Sequence, residues 1–355
     1  MKFLATLLIA VGLTVGLNSC TTNPATGKSQ VNALSEEKEI SLGNEAAPQF
    51  LSEGGGELPS PTIVNYVRGL GMQLAQVSER KDLPWEFHVL DSKVINAFAL
   101  PGGKVFISRG LLERMGNEAQ LAAVLGHEVG HVTALHIGQQ MAQAMGVQII
   151  AGLLGTAGEA TDSDALRVLG AGGQVGGGLY LLKFGRDQES EADMLGIRYM
   201  TRLGYNPIGM MQLMDILKGA SGGGSQWQIL ATHPDPELRY NDAARIIMQN
   251  HPTAKDPAAF KYNEAQFQQV VIAGLKKLPP ARAMGMEIPL KSAMNDALEG
   301  SSGTGAASAS GEKGASAKTQ ARPLTPLERA MLLAKCNCHP GGGHQPLLPQ
   351  ASDPR

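Results

Sequence analysis

Two histidines four residues apart, His127 and His131, constrain this chain more than any other feature, because they sit inside a segment patterned as a helix. Leu121, Val124, Leu125, Val129, Val132 and Leu135 recur at helical spacing from Glu118 onward, and the pattern runs to about Met145. Asn117 is placed to cap this helix, with Gln120 at the capping-box position. Four helical steps leave two side chains about 40° apart and roughly 6 Å along the axis, so both imidazoles can converge on one point. Glu128, next to His127, faces the same side. Gly126 and Gly130 each cost roughly 1 kcal/mol of helix propensity. Glycines there predict that another element or a substrate approaches the helix closely.

Two histidines with an adjoining carboxylate form the His-Glu-x-x-His pattern of metal-dependent proteases, where the histidines hold zinc and the glutamate is a general base. A catalytic zinc takes three protein ligands and keeps one position open. The best third candidate is Glu189, on a helix predicted over 186–203. Asp193, one turn later, could accept the free ring N–H of a ligand histidine. Spacing alone leaves Glu189, Glu191 and Asp193 equally readable as a solvated acidic face. The histidine pair could also be packed core residues, but that leaves the glycines and the third carboxylate unexplained. His88, His136 and His339 are weaker candidates. On a continuous helix, five residues rotate His136 away from His131, which predicts a surface histidine.

The first residues read as an export signal. Met1-Lys2 is followed by an apolar run from Phe3 to Leu17, too short for a comfortable membrane span. It ends at Leu17-Asn18-Ser19-Cys20, which resembles a lipoprotein signal, so Cys20 is the expected lipidation site. Thr21 after it fits sorting to the periplasmic face of an outer membrane. Cys336 and Cys338 are too close in sequence for an unstrained disulfide, so the core has no disulfide framework. The charge balance of 30 Lys+Arg against 32 Asp+Glu, without a basic stripe, argues against nucleic acid as a partner.

The rest divides at composition shifts into a signal over 1–19, a tether with an N-terminal helix over 20–57, a main domain over 58–298 and a Ser/Gly/Ala-rich tail over 299–355 that reads as disordered. Ser35 can cap a helix, Gly54-Gly55-Gly56 breaks the chain, and helix resumes after Pro61. A strand is predicted over 86–90. A hairpin follows, running from Val94 to Leu100, turning at Pro101-Gly102-Gly103 and returning over 104–108. The glycine-rich stretch 146–185 is a candidate lid. Gly204 should end the 186–203 helix, Asn206-Pro207 should start the next, and a further helix holds Leu238 to Met248. The fold class is therefore α+β, mainly helical.

Over about residues 20–250 the chain resembles peptidase family M48. The likeness rests on Asn96-Ala97-Phe98-Ala99-Leu100-Pro101-Gly102-Gly103 with Gly110-Leu111-Leu112, on Leu125 to Val132, on Glu189-Ser190-Glu191-Ala192-Asp193 with Leu195-Gly196, and on Thr232-His233-Pro234 with Arg239. Asn23-Pro24-Ala25-Thr26-Gly27 is similar to the family's lipoprotein members. The resemblance implies a gluzincin-type metalloprotease domain over 58–298, with a small antiparallel sheet or hairpin beside the active-site helix. It implies one Zn2+ held by His127, His131 and Glu189 rather than Glu191, with Glu128 as catalytic base and Asp193 behind the ligands. It places His233 near the metal, as an oxyanion stabiliser or as a fourth ligand in a resting form. The implied activity is cleavage of unfolded or misassembled cell-envelope proteins. Asn96, Phe98 and Leu100 would lie on an edge strand that pairs with extended substrate. The alternative is a periplasmic holdase or assembly factor with a latent site. Beyond residue 250 there is no tetratricopeptide pattern, and nothing in the sequence fixes the oligomeric state.

Overall fold

Capping side chains set the helix starts where the sequence places them. In the computed structural model, which describes residues 20–143, 183–219, 228–256 and 258–282, Ser35 accepts from the Lys38 amide to start α1 (Glu36–Glu53), which ends at Gly54. Pro61 opens α2 (Pro61–Gln76). The signal segment, almost all of the 146–185 stretch and the tail with Cys336, Cys338 and His339 lie outside the described residues.

Residues 20–34 are more structured than an extended tether. β1 (Cys20–Thr22) pairs antiparallel with β2 (Ser29–Val31). Asn23 is buried in the turn, its side-chain oxygen accepting from the amides of Ala25 and Thr26.

A three-stranded sheet follows: β3 (Glu86–Leu90), β4 (Ala97–Leu100) and β5 (Lys104–Ser108), in the order β3-β5-β4. The hairpin β4–β5 turns through Gly102 and Gly103, both at positive φ that side chains resist. β3 pairs parallel with β5, so the sheet is mixed where an antiparallel one was expected. Pattern reading cannot see this, because alternation is the same for both pairings. Among the described strands β4 is an edge. Phe98 and Leu100 point into a cluster with Phe50, Ala46 and Ala47 of α1, while Phe98 stacks on Phe106 with centroids 4.9 Å apart.

After the short α3 (Arg109–Leu112), the central helix α4 (Glu118–Thr133) begins at Asn117, whose side chain accepts from the Gln120 amide. Gln120 does not close the expected capping box on Asn117; its Oε1 accepts from the Gly116 amide, one residue earlier. All sixteen residues of α4 are buried, because α2, β4, α5 (Arg186–Arg202) and α6 (Ile208–Lys218) pack around it. Fully burying each of its Leu and Val side chains contributes about 1.5–3 kcal/mol. The helix ends at Thr133, short of the expected 145. Leu135 takes positive φ (62°), and helix resumes over 136–143. A short α7 (Ile229–Thr232) and then α8 (Pro236–Asn250) complete the surroundings of the site.

Candidate metal centre

Close packing of α4 on α5 creates the site. A methyl group built on Gly126 would meet Gly196 Cα at 3.2 Å, and one on Gly130 would meet Ala192 O at 3.0 Å. The approaching element that those glycines predicted is thus α5. At this separation Glu189 and Asp193 of α5 lie opposite His127 and His131 of α4.

His127, His131, Glu189 and His233 each offer one ligand atom, and these atoms all lie within 4.8 Å of one another; all four residues are buried. His131 Nε2 is 2.9 Å from His127 Nε2 and 3.4 Å from Glu189 Oε1. His233 Nδ1 is 3.0 Å from Glu189 Oε1 and 3.3 Å from His127 Nε2. The histidines of α4 use Nε2 toward this point and turn Nδ1 outward. His127 Nδ1 meets Asp193 Oδ1 at 2.9 Å. Arg239 of α8 holds Asp193 from the far side, donating from Nε to Oδ2 at 2.8 Å and from Nη2 to Oδ1 at 2.7 Å. Its Nη1 lies 2.7 Å from Glu189 Oε2, a close ion pair whose angles do not make a hydrogen bond.

Charge here is unbalanced. Three buried carboxylates, Glu128, Glu189 and Asp193, face one buried guanidinium, Arg239. Both oxygens of Glu128, and Oε2 of Glu189, lack a hydrogen-bond partner. Burial pushes the Glu128 carboxyl up, against the pull of His233 and His127. Burial would also raise Glu189, but His233 and Arg239 hold it well below the ordinary carboxylate value. Asp193, despite burial, is kept low by Arg239. Burial, together with His127, drives His131 well below the usual imidazole value, so it is neutral with a lone pair to give. Orphaned buried carboxylate oxygens beside the neutral His131 imidazole are what a divalent cation would satisfy, and the donor set fits one.

The sequence-derived residues therefore separate cleanly. His127, Glu128, His131, Glu189, Asp193 and His233 come together. Glu191 points away from them. His88 sits between Glu57 and Glu86 on β3, outside the cluster. His136 is not a surface residue. The break at Leu135 turns it back, fully buried, with Nδ1 2.9 Å from His131 Nδ1 and Nε2 2.9 Å from Glu191 Oε2. Burial alone would raise Glu191, yet the hydrogen bond with His136 holds its carboxyl low. Sequence reasoning missed His136, the part played by Glu191 and the clamp formed by Arg239; Arg239 was marked only by the family likeness.

Known proteins place this geometry. The chain is 31% identical over 272 residues to a "Beta-barrel assembly-enhancing protease" of Escherichia coli, an alignment covering 71% of this chain and 53% of that protein. It is 32% identical over 220 residues to "Mitochondrial metalloendopeptidase OMA1" of Schizosaccharomyces pombe, covering 61% of this chain and 63% of that one. The chain thus spans about half, or somewhat more, of the length of these curated relatives. Residues 64–247 match the description "Peptidase family M48", which is more than half of the 355 residues. The chain belongs to peptidase family M48.

Proposed function

We propose that the protein is a zinc-dependent metalloendopeptidase that cleaves unfolded or misassembled proteins of the cell envelope. The carrying observation is that Glu128, buried and without a hydrogen-bond partner, stands beside a four-residue group able to hold a metal. A structural metal site has no use for that carboxylate. His127, His131 and Glu189 would hold the zinc, whose chemistry when bound is to act as a Lewis acid on the scissile carbonyl and to make water a better nucleophile. Asp193 fixes His127 as the Nδ1–H tautomer, leaving Nε2 free to ligate. Glu128 accepts the proton of the attacking water on a carboxylate oxygen and returns it to the leaving amine; its raised pKa suits it to hold a proton between the two steps.

Strand β4 supports the choice of extended, unfolded substrates. Among the described strands it is an edge strand beside α4, with Phe98 and Leu100 buried, and an extended chain laid along it would be read through backbone groups rather than a side-chain code. Asn96, just before it, is buried too. The envelope setting is supported by the Cys20 signal and by relatives named for enhancing β-barrel assembly. Among the described residues no helix is long and apolar enough to cross a membrane; the attachment proposed is a lipid on Cys20.

The test is casein hydrolysis with and without a chelator, run beside Glu128→Gln. Chelator-sensitive cleavage, lost in Glu128→Gln at unchanged metal content, supports the reading. Cleavage equal to wild type in that variant overturns it. Suppression of aggregation without any cleavage would favour the holdase alternative.

A further inference from the structure

His131 is oriented by a different device from His127. Its Nδ1 faces no carboxylate but the Nδ1 of a second buried histidine, His136, at 2.9 Å. His136 Nε2 meets Glu191 Oε2 at 2.9 Å, and Asn23 Nδ2 donates to that same oxygen at 3.3 Å. Only one arrangement of protons satisfies this chain. His131 Nε2 must present a lone pair to the metal point, so its proton is on Nδ1 and is donated to His136 Nδ1. His136 then carries its proton on Nε2 and donates it to Glu191, which as a carboxylate only accepts. Asn23 supplies the last donor, while its own oxygen is occupied by the amides of Ala25 and Thr26.

We propose that His136 and Glu191 are positioning residues for His131, and that Asn23 makes the N-terminal segment 20–34 a supporting part of the metal centre. The inference rests on the metal site proposed above. It is independent of which metal or substrate is used. Further bonds tie the same segment to the end of α4 and to the stretch after it: Gln30 Nε2 donates to Ala134 O at 3.0 Å, and the Ala33 amide donates to Gly138 O at 3.1 Å. The stretch that resembles a lipoprotein tether, starting three residues after Cys20, is therefore built onto the helix end from which His131 projects.

The test is metal affinity in the full chain, measured by competition of Co2+ or Zn2+ against a chelator of known affinity, with the melting of the metal-free protein recorded alongside. Partners of this kind typically change affinity 10- to 100-fold. His136→Leu should weaken binding by about that factor and shift the cobalt absorption spectrum, while His136→Gln, which can still accept from His131 and donate to Glu191, should recover most of it. Glu191→Ala should weaken binding by about tenfold. Asn23→Asp keeps the acceptors of the turn but sets a like charge against Glu191, and should weaken binding to a smaller extent. Wild-type affinity in folded His136→Leu overturns the relay. If that variant does not fold, wild-type affinity in Glu191→Ala overturns it equally. A wild-type chain that binds no metal would instead defeat the metal site itself.

Discussion

A methyl group on Gly196 of α5 would stand 2.9 Å from the backbone nitrogen of His127 on α4, and 3.0 Å from Met210 Cε. The distance between the two site-bearing helices is therefore set by the absence of side chains, and it determines whether Glu189 reaches the histidines. Gly196→Ala gains about 1 kcal/mol of helix propensity but overpacks a contact with backbone that cannot yield, at a cost of about 1–3 kcal/mol. The expected result is a lower melting temperature and weaker metal binding. Gly69→Ala in α2, where a methyl group meets nothing within 4 Å, should instead raise stability by about 1 kcal/mol. A Gly196→Ala protein that melts above wild type would contradict this.

What the sequence shows of this site is what local periodicity carries. The convergence of His127 and His131, the caps at Ser35 and Asn117, the stop at Gly204 and the close approach at Gly126 and Gly130 all follow from spacing and residue type. His136 was lost because its position depends on one backbone angle, the positive φ of Leu135, which a leucine gives no reason to expect. The parallel pairing of β3 with β5 and the reach of Arg239 from α8 to Glu189 and Asp193 are long-range facts that periodicity does not encode. The choice of Glu189 over Glu191 came from family likeness; the geometry explains it, since α5 turns Glu189 to the cluster and Glu191 to His136.

Arg239 is the only arginine or lysine that meets both Glu189 and Asp193 among the described ion pairs. Removing one partner of a buried ionic group costs about 3–5 kcal/mol, because the remaining charge is left uncompensated. Arg239→Met should therefore lower the melting temperature strongly in metal-free protein. Added zinc would restore charge to Glu189 and recover part of the loss. An equal drop with and without metal would show that the guanidinium does not share this work with a cation.

A second buried ion pair lies at the C-terminal end of α4, beside His131. Arg80 Nη1 donates to Glu39 Oε2 at 2.7 Å and to Val132 O at 3.0 Å. Burial raises the Glu39 carboxyl above its ordinary value of 4.5, against the lowering effect of Arg80. A raised folded value contributes stability below the unfolded one and loses it as pH rises through the folded value. Arg80→Met removes the lowering effect, so its penalty should be smallest near pH 4 and grow toward neutrality, reaching about 3 kcal/mol. Denaturant melts of both proteins across pH 4 to 8 check this (the range spanning the ordinary carboxylate value and neutrality). A penalty independent of pH would assign the loss to the Val132 hydrogen bond instead.

Cys20→Ser should release the protein from membranes without changing metal content or casein cleavage, since β1 pairs with β2 through backbone groups. Fractionation and the mass of the mature N-terminal peptide read the outcome. An unchanged membrane fraction together with an unchanged peptide mass would remove the lipoprotein reading.

His233 separates two opposite roles by the sign of one measurement. It precedes Pro234 and has extended backbone (φ −120°, ψ 83°), at the end of the four-residue α7. That helix is tied to the entrance of β4 by the Ile229 amide, which donates to Ile95 O at 3.3 Å. An oxyanion stabiliser would stand off from the ligand atoms, at the position of the developing charge, and its loss would lower turnover about 10²- to 10³-fold. His233 does not stand off. Its Nδ1 is 3.0 Å from Glu189 Oε1 and 3.3 Å from His127 Nε2, inside the point where the other ligands converge, and its Nε2 lies 3.7 Å from Glu128 Oε1. Held there, it would compete with a substrate carbonyl for a bound metal, and its Nε2 faces the base. His233→Ala is therefore expected to raise basal casein cleavage, with metal content matched to wild type by elemental analysis. A large fall in turnover would restore the oxyanion role. Unchanged turnover would leave His233 as a residue that only shapes the loop between α7 and α8.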